Sequence, residues 1–232
     1  MQPQRLPDPL PAGIEVFQLE LDLVAPLSYA DWALLSEEEG RRALRFHKHD
    51  DKVRFVATRA ALRRLLGARL RCRPQTLGFV TNPYGKPRLE AACSSNPAIC
   101  FNVSHAGRFA LIALSELAPV GVDIERRDPH CDVSDLSLQT LSALERQLSD
   151  DRCVDFFECW ATKEAVLKAL GLGVAEHLQR LSVLRPESAG GACYDIRHEG
   201  PWPRVNALRL DSPPGYAATL AWQADGVGER DE

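Results

Sequence analysis

Asp123 and Glu125 lie one residue apart at the end of the apolar segment VGVDIE, residues 120–125. Side chains of a β-strand alternate between its two faces, so both carboxylates share the face that also carries Gly121. They are then roughly 6–7 Å apart along the strand, a spacing at which a divalent cation could bind between them and remove their repulsion. The solvent-facing side of a hairpin is the alternative for these residues taken alone.

A third acidic residue, Glu164, lies in FFECWATKEAVLKALGLG, residues 156–173, whose periodicity predicts a helix. At about 100° per residue, Glu164 projects from the apolar arc of this helix, and Lys168 follows one turn later at its edge. A carboxylate facing the core is costly unless its charge is compensated, whereas an ordinary Glu–Lys pair lies on the exposed side. A cation shared with the two strand acids would compensate all three charges. The arc consists of Phe156, Phe157, Trp160, Leu167 and Leu170.

Two polar turns are further candidates for a functional role, and the first of them could bind an anion. In FNVSHAG, residues 101–107, a predicted strand ends at Ser104 and His105, whose side chains and backbone N–H groups could receive a phosphate. In YGKP, residues 84–87, Lys86 places a cation beside a proline ring. An exposed histidine and a plain turn are the alternatives for these segments taken singly.

Positive charge is concentrated in residues 41–73, although the whole chain has a formal net charge of −4. This basic block holds twelve lysines and arginines against Asp50 and Asp51, a local charge of +10. An acidic protein with one concentrated basic segment usually directs it at an anion. A solvated helix face is the alternative for most of these arginines.

The composition is that of a globular protein: 232 residues, 45% hydrophobic and 26% charged. The length suits one domain or two smaller ones. No apolar run approaches the roughly 20 residues that span a bilayer, and residues 1–13 lack the pattern of a secretory signal. Seven cysteines without a CxxC spacing indicate reduced thiols. We therefore expect a cytoplasmic protein without a membrane partner.

Three helices are expected. Ser36 and Glu39 form a capping box that opens the first helix, and a second is expected over 51–66, ending at Gly67. The helix that contains the third acid is expected at about 152–170. It is preceded by leucines at helical spacing, at positions 138, 141, 144 and 148.

Short strands separated by turns predict mainly antiparallel sheets, and the whole pattern predicts an α+β fold in two lobes that join near Pro119. Residues 1–13 and 224–232 are expected to be loosely held. Besides the strand at 120–125, strands are expected at 14–24, 77–80, 99–103, 108–114, 181–184, 193–197, 205–210 and 216–222.

Taken in order, the motifs YGKP, FNVSHAG, VGVDIE and WATKEAVLKALGLG (160–173) resemble those of the Sfp-type phosphopantetheinyl transferases, in the holo-carrier-protein synthase superfamily. GVDIE followed by WxxKExxxK is a highly specific pairing. RFHKHDDKVRFVATRAALR (45–63) and GYAATLA (215–221) extend the resemblance over most of the chain.

The resemblance implies two similar lobes related by a pseudo-twofold axis, residues 1–118 and 119–232, with coenzyme A bound between them. It implies a transferase that uses Mg²⁺ and moves phosphopantetheine from coenzyme A to a serine of an apo acyl or peptidyl carrier protein. Adenosine 3',5'-bisphosphate would be released. One chain with two lobes would suffice as a monomer.

The resemblance also implies a function for each matching position. Acidic residues would hold Mg²⁺ against the pyrophosphate. Separately, the carrier serine must lose its proton as it attacks, and Glu164, at the edge of the metal site, is the candidate general base, directly or through a water. Lys168 would contact the phosphate of the scissile bond. The implied metal ligands are Asp123, Glu125 and Glu164. The implied coenzyme A contacts are Arg42 and Arg54 at the ribose phosphate, Ser104 and His105 at the other phosphates, and Gly85, Lys86, Pro87 and Arg59 around the adenine.

Two positions depart from the family pattern. Glu39 stands where the pattern has another phosphate-binding lysine, so that contact is in doubt in this chain. SHAG replaces the commoner SHSG, and the alanine keeps the turn small.

Two other functions are compatible with parts of the sequence. A non-catalytic binder of coenzyme A or carrier proteins would keep the fold, although all three acids and Lys168 are present. A nucleic-acid-binding domain could use the basic block, but Phe46 and Phe55 are its only aromatic residues. The identity of the carrier and the preference for Mg²⁺ or Mn²⁺ are left open.

Overall fold

The computed structural model describes residues 2–7, 9–90, 99–148, 154–174, 176–185 and 192–224, which form an α+β protein of two lobes. Its α-helices are α1 (Tyr29–Trp32), α2 (Glu37–Leu44), α3 (His49–Leu70), α4 (Ser134–Thr140) and α5 (Phe156–Leu170). Its strands are β1 (Gln4–Arg5), β2 (Ile14–Glu20), β3 (Phe79–Thr81), β4 (Pro87–Leu89), β5 (Cys100–Ala106), β6 (Phe109–Ser115), β7 (Val120–Arg126), β8 (Leu181–Leu184), β9 (Cys193–His198), β10 (Val205–Arg209) and β11 (Tyr216–Gln223).

Each lobe contains one antiparallel sheet. The first has the strand order β1-β2-β6-β5 and the second β7-β11-β10-β9-β8, while β3 and β4 form a separate hairpin. The expected α+β class with mainly antiparallel pairing is confirmed. Residues 1–13 are not wholly loose, because β1 pairs with β2, and the strand expected over 14–24 ends at Glu20.

The two lobes share a core. The apolar face of β7 packs against side chains of β2, β6 and β11, which removes apolar surface of both lobes from water. At this junction the side-chain oxygen of Asn102, on β5, accepts a hydrogen bond from the backbone N–H of Val122, on β7, at 2.9 Å. The alternation predicted for β7 therefore holds, and its other face is directed toward α5.

The helix α3 is longer than predicted. It continues through Gly67 to Leu70 and ends at Arg71, which adopts the left-handed conformation with φ 54°. An added Cβ at Gly67 would lie 3.0 Å from the carbonyl oxygen of Cys72 and 3.1 Å from Pro74. The glycine thus permits close packing of the turn that follows rather than ending the helix. Among the described residues, no helix is long and apolar enough to cross a membrane.

The leucine stripe expected before α5 does not form one helix. α4 ends at Thr140, Leu141 is extended, and a separate 3₁₀ turn covers Glu145–Gln147. Leu138 is exposed. Just before and within this turn, Ser142 and Glu145 exchange hydrogen bonds: the Glu145 N–H donates to the Ser142 hydroxyl at 3.1 Å, and the Ser142 N–H donates to the Glu145 carboxylate at 2.7 Å. This local polar pairing overrides the apolar spacing.

The start of α5 is later than predicted, because Asp155 is its N-cap. The Asp155 carboxylate accepts hydrogen bonds from the backbone N–H groups of Phe157 and Glu158, at 3.1 and 3.2 Å. Residues 151–153 at the expected start lie outside the described residues, as does most of the expected loose tail.

A buried ion pair fixes α5 within the second lobe. The Lys163 ammonium is fully buried and donates to Glu145 Oε2 at 2.6 Å and to the carbonyls of Thr140 and Leu178 at 2.7 and 2.9 Å. The other carboxylate oxygen of Glu145 accepts from the backbone N–H of Val183 at 2.7 Å. Every ammonium proton is satisfied, so the network joins α5 to the segments on either side of it.

Lys163→Ala is expected to lower the free energy of unfolding by about 3–5 kcal/mol, because it leaves the Glu145 carboxylate buried without its counter-charge. Urea denaturation measures this change. As a control, Arg197→Ala removes an exposed partner of Asp195 and should change stability by less than about 0.5 kcal/mol. Equal, small effects of both substitutions would contradict this account of α5.

Candidate active site

The helix α5 packs directly on β7 because Gly121 has no side chain. An added Cβ at this position would overlap the carbonyl oxygen of Ala165 and lie 2.5 Å from the backbone nitrogen of Ala169. The absence of a Cβ therefore sets the distance between the strand and the helix. Strand alternation places Gly121 on the same face as the acids, but it does not reveal that this residue contacts the helix.

This close packing brings three carboxylates together. One oxygen each of Asp123, Glu125 and Glu164 lie within 4.8 Å of one another. Asp123 is buried, at 1% exposure, while the other two are partly buried. The structure thus places the two strand acids and the helix acid in one cluster.

Two hydrogen-bonding groups orient Asp123. The Ser104 hydroxyl donates to Asp123 Oδ1 at 2.7 Å, and the Lys168 ammonium contacts the same oxygen. Lys168 also pairs with Glu164 at 3.1 Å. Ser104 therefore contacts the acid cluster, and it also lines the cleft beside that cluster.

The basis on which sequence analysis singled out Glu164 is corrected by the structure. Of the predicted arc, Leu167 is fully buried, whereas the other four residues, Phe156, Phe157, Trp160 and Leu170, are only partly buried. Another face of α5, with Thr162, Ala165 and Val166, is also buried. Glu164 lies on a half-buried stripe at the edge of the core, where Trp160 Nε1 donates to its Oε1 at 3.0 Å. The predicted arc is therefore only partly core-facing, and Glu164 has Lys168 as a charged partner at 3.1 Å.

The pKa values of the cluster reflect burial and crowding of like charges. Burial raises the pKa of Asp123 to about 6, although the Lys168 cation opposes the shift. Burial, with the charges of Asp123 and Glu164, raises the pKa of Glu125 to about 7. Burial alone would lower the pKa of Lys168, but the two neighbouring carboxylates outweigh it and raise this pKa. Lys168 remains a cation at neutral pH.

The residues present fit a divalent cation. Asp123 Oδ2 is buried and has no hydrogen-bond partner within the described parts of the chain, and a buried polar atom without a partner is unfavourable. Three carboxylates with one lysine leave an excess of negative charge, and hard oxygen ligands suit Mg²⁺ or Mn²⁺. Asp123, Glu125 and Glu164 could therefore hold such an ion.

The charge of the cluster predicts how pH affects stability without metal. Between the ordinary pKa of a glutamate in an unfolded chain, near 4.5, and about 7, the folded protein holds more protons at Glu125, so stability falls as pH rises through this range. Glu125→Gln is expected to stabilise the metal-free protein at pH 8, by on the order of 1 kcal/mol because the side chain is partly solvated. At pH 4.5 it should have little effect.

Urea denaturation of both proteins in chelator at the two pH values measures this difference. Addition of Mg²⁺ at pH 8 should stabilise the wild type more than Glu125→Gln, because metal ligands must be deprotonated. A stabilisation by Glu125→Gln that is the same at both pH values would contradict the assignment of the raised pKa.

A cleft of about 730 Å³ opens beside the acid cluster, between α2, α3, the β3–β4 hairpin and β5. With Lys168 included, the resemblance implies nine coenzyme A contacts, and seven of them line the cleft. Arg54 and Lys86 are not among the lining residues. The seven that do line it are Arg42, Arg59, Gly85, Pro87, Ser104, His105 and Lys168.

The basic residues of the cleft differ in how accessible their side chains are to a ligand. The Arg42 guanidinium lies 5.2 Å from the ring centroid of Phe55, while Arg59 pairs with Glu39 at 3.2 Å. Partial burial, with the nearby Arg54 and Lys168 cations, lowers the pKa of His105. Among these, Arg42 is exposed and is the cation most accessible to a ligand.

Arg54 lies behind the turn that follows His105. Its Nε donates to the carbonyl of Gly107 at 2.7 Å, and its Nη1 pairs with Asp51 at 2.6 Å. These contacts hold the β5–β6 turn, and binding of a phosphate would require Arg54 to share or exchange the Asp51 contact.

Glu39 supports the cleft rather than binding an anion. It is buried and completes the capping box with Ser36. It accepts a hydrogen bond from the fully buried Arg63 at 2.8 Å and forms an ion pair with Arg59. An acid at this position therefore neutralises two arginines of α3. The capping box is predictable from the sequence. The ion pairs are not, because they depend on how α2 packs on α3.

Comparison with known proteins identifies the family. The family model described as "4'-phosphopantetheinyl transferase, N-terminal" matches residues 28–117, and the "4'-phosphopantetheinyl transferase superfamily" model matches residues 119–221. A protein of Synechocystis sp. with the provisional name 4'-phosphopantetheinyl transferase is 38% identical, over 88% of this chain and 85% of the relative.

More distant relatives carry the same description. The 4'-phosphopantetheinyl transferase HetI of Nostoc sp. is 35% identical over 62% of each chain. The 4'-phosphopantetheinyl transferase Sfp of Bacillus subtilis is 27% identical over 65% of this chain and 66% of its own. The resemblance indicated by the motifs is confirmed, and the chain is a phosphopantetheinyl transferase that belongs to the 4'-phosphopantetheinyl transferase superfamily.

Proposed function

We propose that this enzyme transfers phosphopantetheine from coenzyme A to a serine hydroxyl of an apo acyl or peptidyl carrier protein, in a Mg²⁺-dependent reaction that releases adenosine 3',5'-bisphosphate. The observation that carries the proposal is the convergence of three carboxylates within 4.8 Å beside Lys168 and the cleft. Asp123, Glu125 and Glu164 are the proposed metal ligands.

The transfer is a single displacement at phosphorus. The serine oxygen forms a bond to the phosphorus that carries pantetheine, and the bond from this phosphorus to the oxygen shared with the adenosine-side phosphate breaks. That oxygen leaves with adenosine 3',5'-bisphosphate, and the serine proton passes to a base. Glu164 is the proposed base, directly or through a water, because it lies at the partly open edge of the acid cluster.

Charge neutralisation is the main requirement of the reaction. Mg²⁺, when bound, would supply Lewis-acid stabilisation of the pyrophosphate charge. Lys168 is proposed to contact the phosphate of the scissile bond, since it remains a cation and lines the cleft. The Ser104 hydroxyl keeps the Asp123 carboxylate in place and is proposed to meet a coenzyme A phosphate together with His105.

The nucleotide end of coenzyme A is proposed to occupy the part of the cleft between α2, α3 and the β3–β4 hairpin. Arg42 and Arg54 would bind the ribose phosphate, with Arg42 the more accessible. The adenine would lie by the 85–87 turn and Arg59, whose guanidinium stacks on Phe79 at 4.9 Å. Lys86 would flank the adenine through its backbone, since its ammonium is engaged elsewhere.

We also propose that residues 1–118 form the lobe that binds the nucleotide and residues 119–232 the lobe that carries the metal and the catalytic helix. A monomer acting in the cytoplasm suffices, with neither membrane nor nucleic acid as partner. The five described cysteines are free thiols. Several arginines of the basic block already have acidic partners, which supports coenzyme A and an acidic carrier over nucleic acid: Arg54, Arg59, Arg63, Arg64 and Arg69.

Incubation with coenzyme A, Mg²⁺ and a panel of fatty-acid, polyketide and nonribosomal-peptide apo carriers tests the proposal. At least one carrier should gain the mass of phosphopantetheine on its serine, and chelator should prevent the gain. Binding of coenzyme A without an adduct on any carrier would instead indicate a non-catalytic binder.

A further inference from the structure

The C-terminal end of α5 is held by side chains from distant parts of the chain. The last four carbonyl groups of a helix have no partner within the helix. The carbonyl of Lys168 accepts from the Gly171 N–H at 3.2 Å and also from the Lys86 ammonium, and the carbonyl of Ala169 accepts from Gln223 Nε2 at 3.1 Å. The 82–87 turn and β11 thus both cap the helix that carries Glu164.

The 82–87 turn is itself tightly bonded. Asn82 Oδ1 accepts from the backbone N–H groups of Tyr84 and Lys86, at 3.0 and 2.9 Å, and the Asn82 N–H donates to the Lys86 carbonyl at 3.0 Å. Asn82 Nδ2 donates to the carbonyl of Gly171 at 2.9 Å. The backbone of Lys86 is therefore held at the end of α5 by contacts that do not involve the Lys86 side chain.

The Lys86 ammonium also donates to the carbonyl of Val120 at 3.0 Å. Val120 begins β7, three residues before Asp123, while Lys168 ends the α5 stripe that contains Glu164. One ammonium therefore joins the two elements whose acids converge. A cation is also favourable at the C-terminus of a helix, where the dipole is negative.

We propose that Lys86 is a positioning residue that fixes the end of α5 on the start of β7 and so sets the separation of the strand acids from Glu164 and Lys168. It acts through the backbone of Val120 and Lys168. Its neighbours Gly85 and Pro87 line the cleft, whereas Lys86 does not. The kinetic part of its test rests on the proposed function.

Lys86→Met keeps the length of the side chain and removes its donors. It is expected to lower kcat on the order of 10–100-fold, since displacement of a catalytic group by about 1 Å costs roughly this much. The dissociation constant of adenosine 3',5'-bisphosphate, which contains the nucleotide but no pantetheine arm, should be unchanged in calorimetry. A weaker bisphosphate affinity with normal kcat would overturn the proposal and make Lys86 a nucleotide ligand.

Gln223→Ala is the matched second variant, because it removes a cap from the same helix end and does not line the cleft. It should also lower kcat, by a smaller factor, and leave bisphosphate binding unchanged. A normal kcat in both variants would overturn the proposal. If Lys86→Met does not fold, Gln223→Ala alone decides between these outcomes.

Mn²⁺ affinity, measured by electron paramagnetic resonance, separates this inference from the proposed function. Misplacement of α5 should weaken Mn²⁺ binding in both variants, whether or not any carrier is modified. If the wild-type protein modifies no carrier, the proposed function is contradicted but the positioning proposal is not. If both variants bind Mn²⁺ with wild-type affinity, the positioning proposal is contradicted but the proposed function is not.

Discussion

Asp123→Ala is expected to abolish phosphopantetheine transfer, with kcat reduced on the order of 10³-fold or more. Asp123 is the most deeply buried of the three acids, and its Oδ2 has no hydrogen-bond partner among the described residues. The substitution removes one proposed metal ligand and the shared partner of Ser104 and Lys168. Loss of a single group that stabilises developing charge already costs about 10²–10³-fold. The measurement is the rate of holo-carrier formation, followed by mass spectrometry.

The fold should survive this substitution. Burial disfavours the charged form of Asp123 and raises its pKa. The charged carboxylate is therefore not a source of native-state stability that the substitution would remove. Lys168 retains Glu164 as a partner at 3.1 Å. Asp132→Ala, at an exposed position of the same lobe, is the control and should transfer phosphopantetheine at the wild-type rate. Near-normal rates of Asp123→Ala with Mg²⁺ as the only divalent ion would show that the metal assignment is wrong.

Gly121→Ala is expected to have the second largest effect, on stability as well as on rate. The new methyl group would overlap the backbone of α5 at Ala165, and a backbone carbonyl cannot rotate away as a flexible side chain can. Overpacking of this kind costs about 1–3 kcal/mol and sometimes more. Displacement of α5 moves Glu164 and Lys168 from Asp123, so kcat should fall about 100-fold or more. Urea denaturation and the carrier assay measure the two effects.

Gly40→Ala is the matched control. An added Cβ at Gly40 would meet Trp32 at 3.6 Å, an ordinary contact, and Gly40 lies within α2, where alanine is favoured over glycine by about 1 kcal/mol. It should be neutral or stabilising, with normal transfer. A Gly121→Ala protein that is as stable and as active as Gly40→Ala would show that strand–helix contact at this point does not position the site.

Several features that local sequence patterns determine were predicted correctly. Alternation in β7 separates the side of the strand that carries Asp123 from the side that joins the lobes, because a strand has a period of two. The Ser36–Glu39 capping box depends only on residues three apart, and both of its hydrogen bonds are present. The α+β class follows from the same local patterns.

The features that depend on tertiary packing were not predictable in this way. Glycine is typical of helix ends, yet α3 continues through Gly67 to Leu70. The glycine is needed there because Cys72 and Pro74 pack closely against it. The orientation of α5 follows from the contact at Gly121 and from the buried Lys163 network, so the aromatic side chains of this helix are not its most buried ones. Likewise, the family resemblance implied that Lys86 of YGKP lies at the adenine site, whereas its ammonium is bonded to two backbone carbonyls.

The shared cation is the central claim, and anomalous diffraction from crystals grown with Mn²⁺ and coenzyme A tests it most directly. We predict an anomalous peak at bonding distance from carboxylate oxygens of Asp123, Glu125 and Glu164, next to the pyrophosphate of the coenzyme. A fully occupied coenzyme whose pyrophosphate has no such peak, or a peak bound only by other residues, would contradict it.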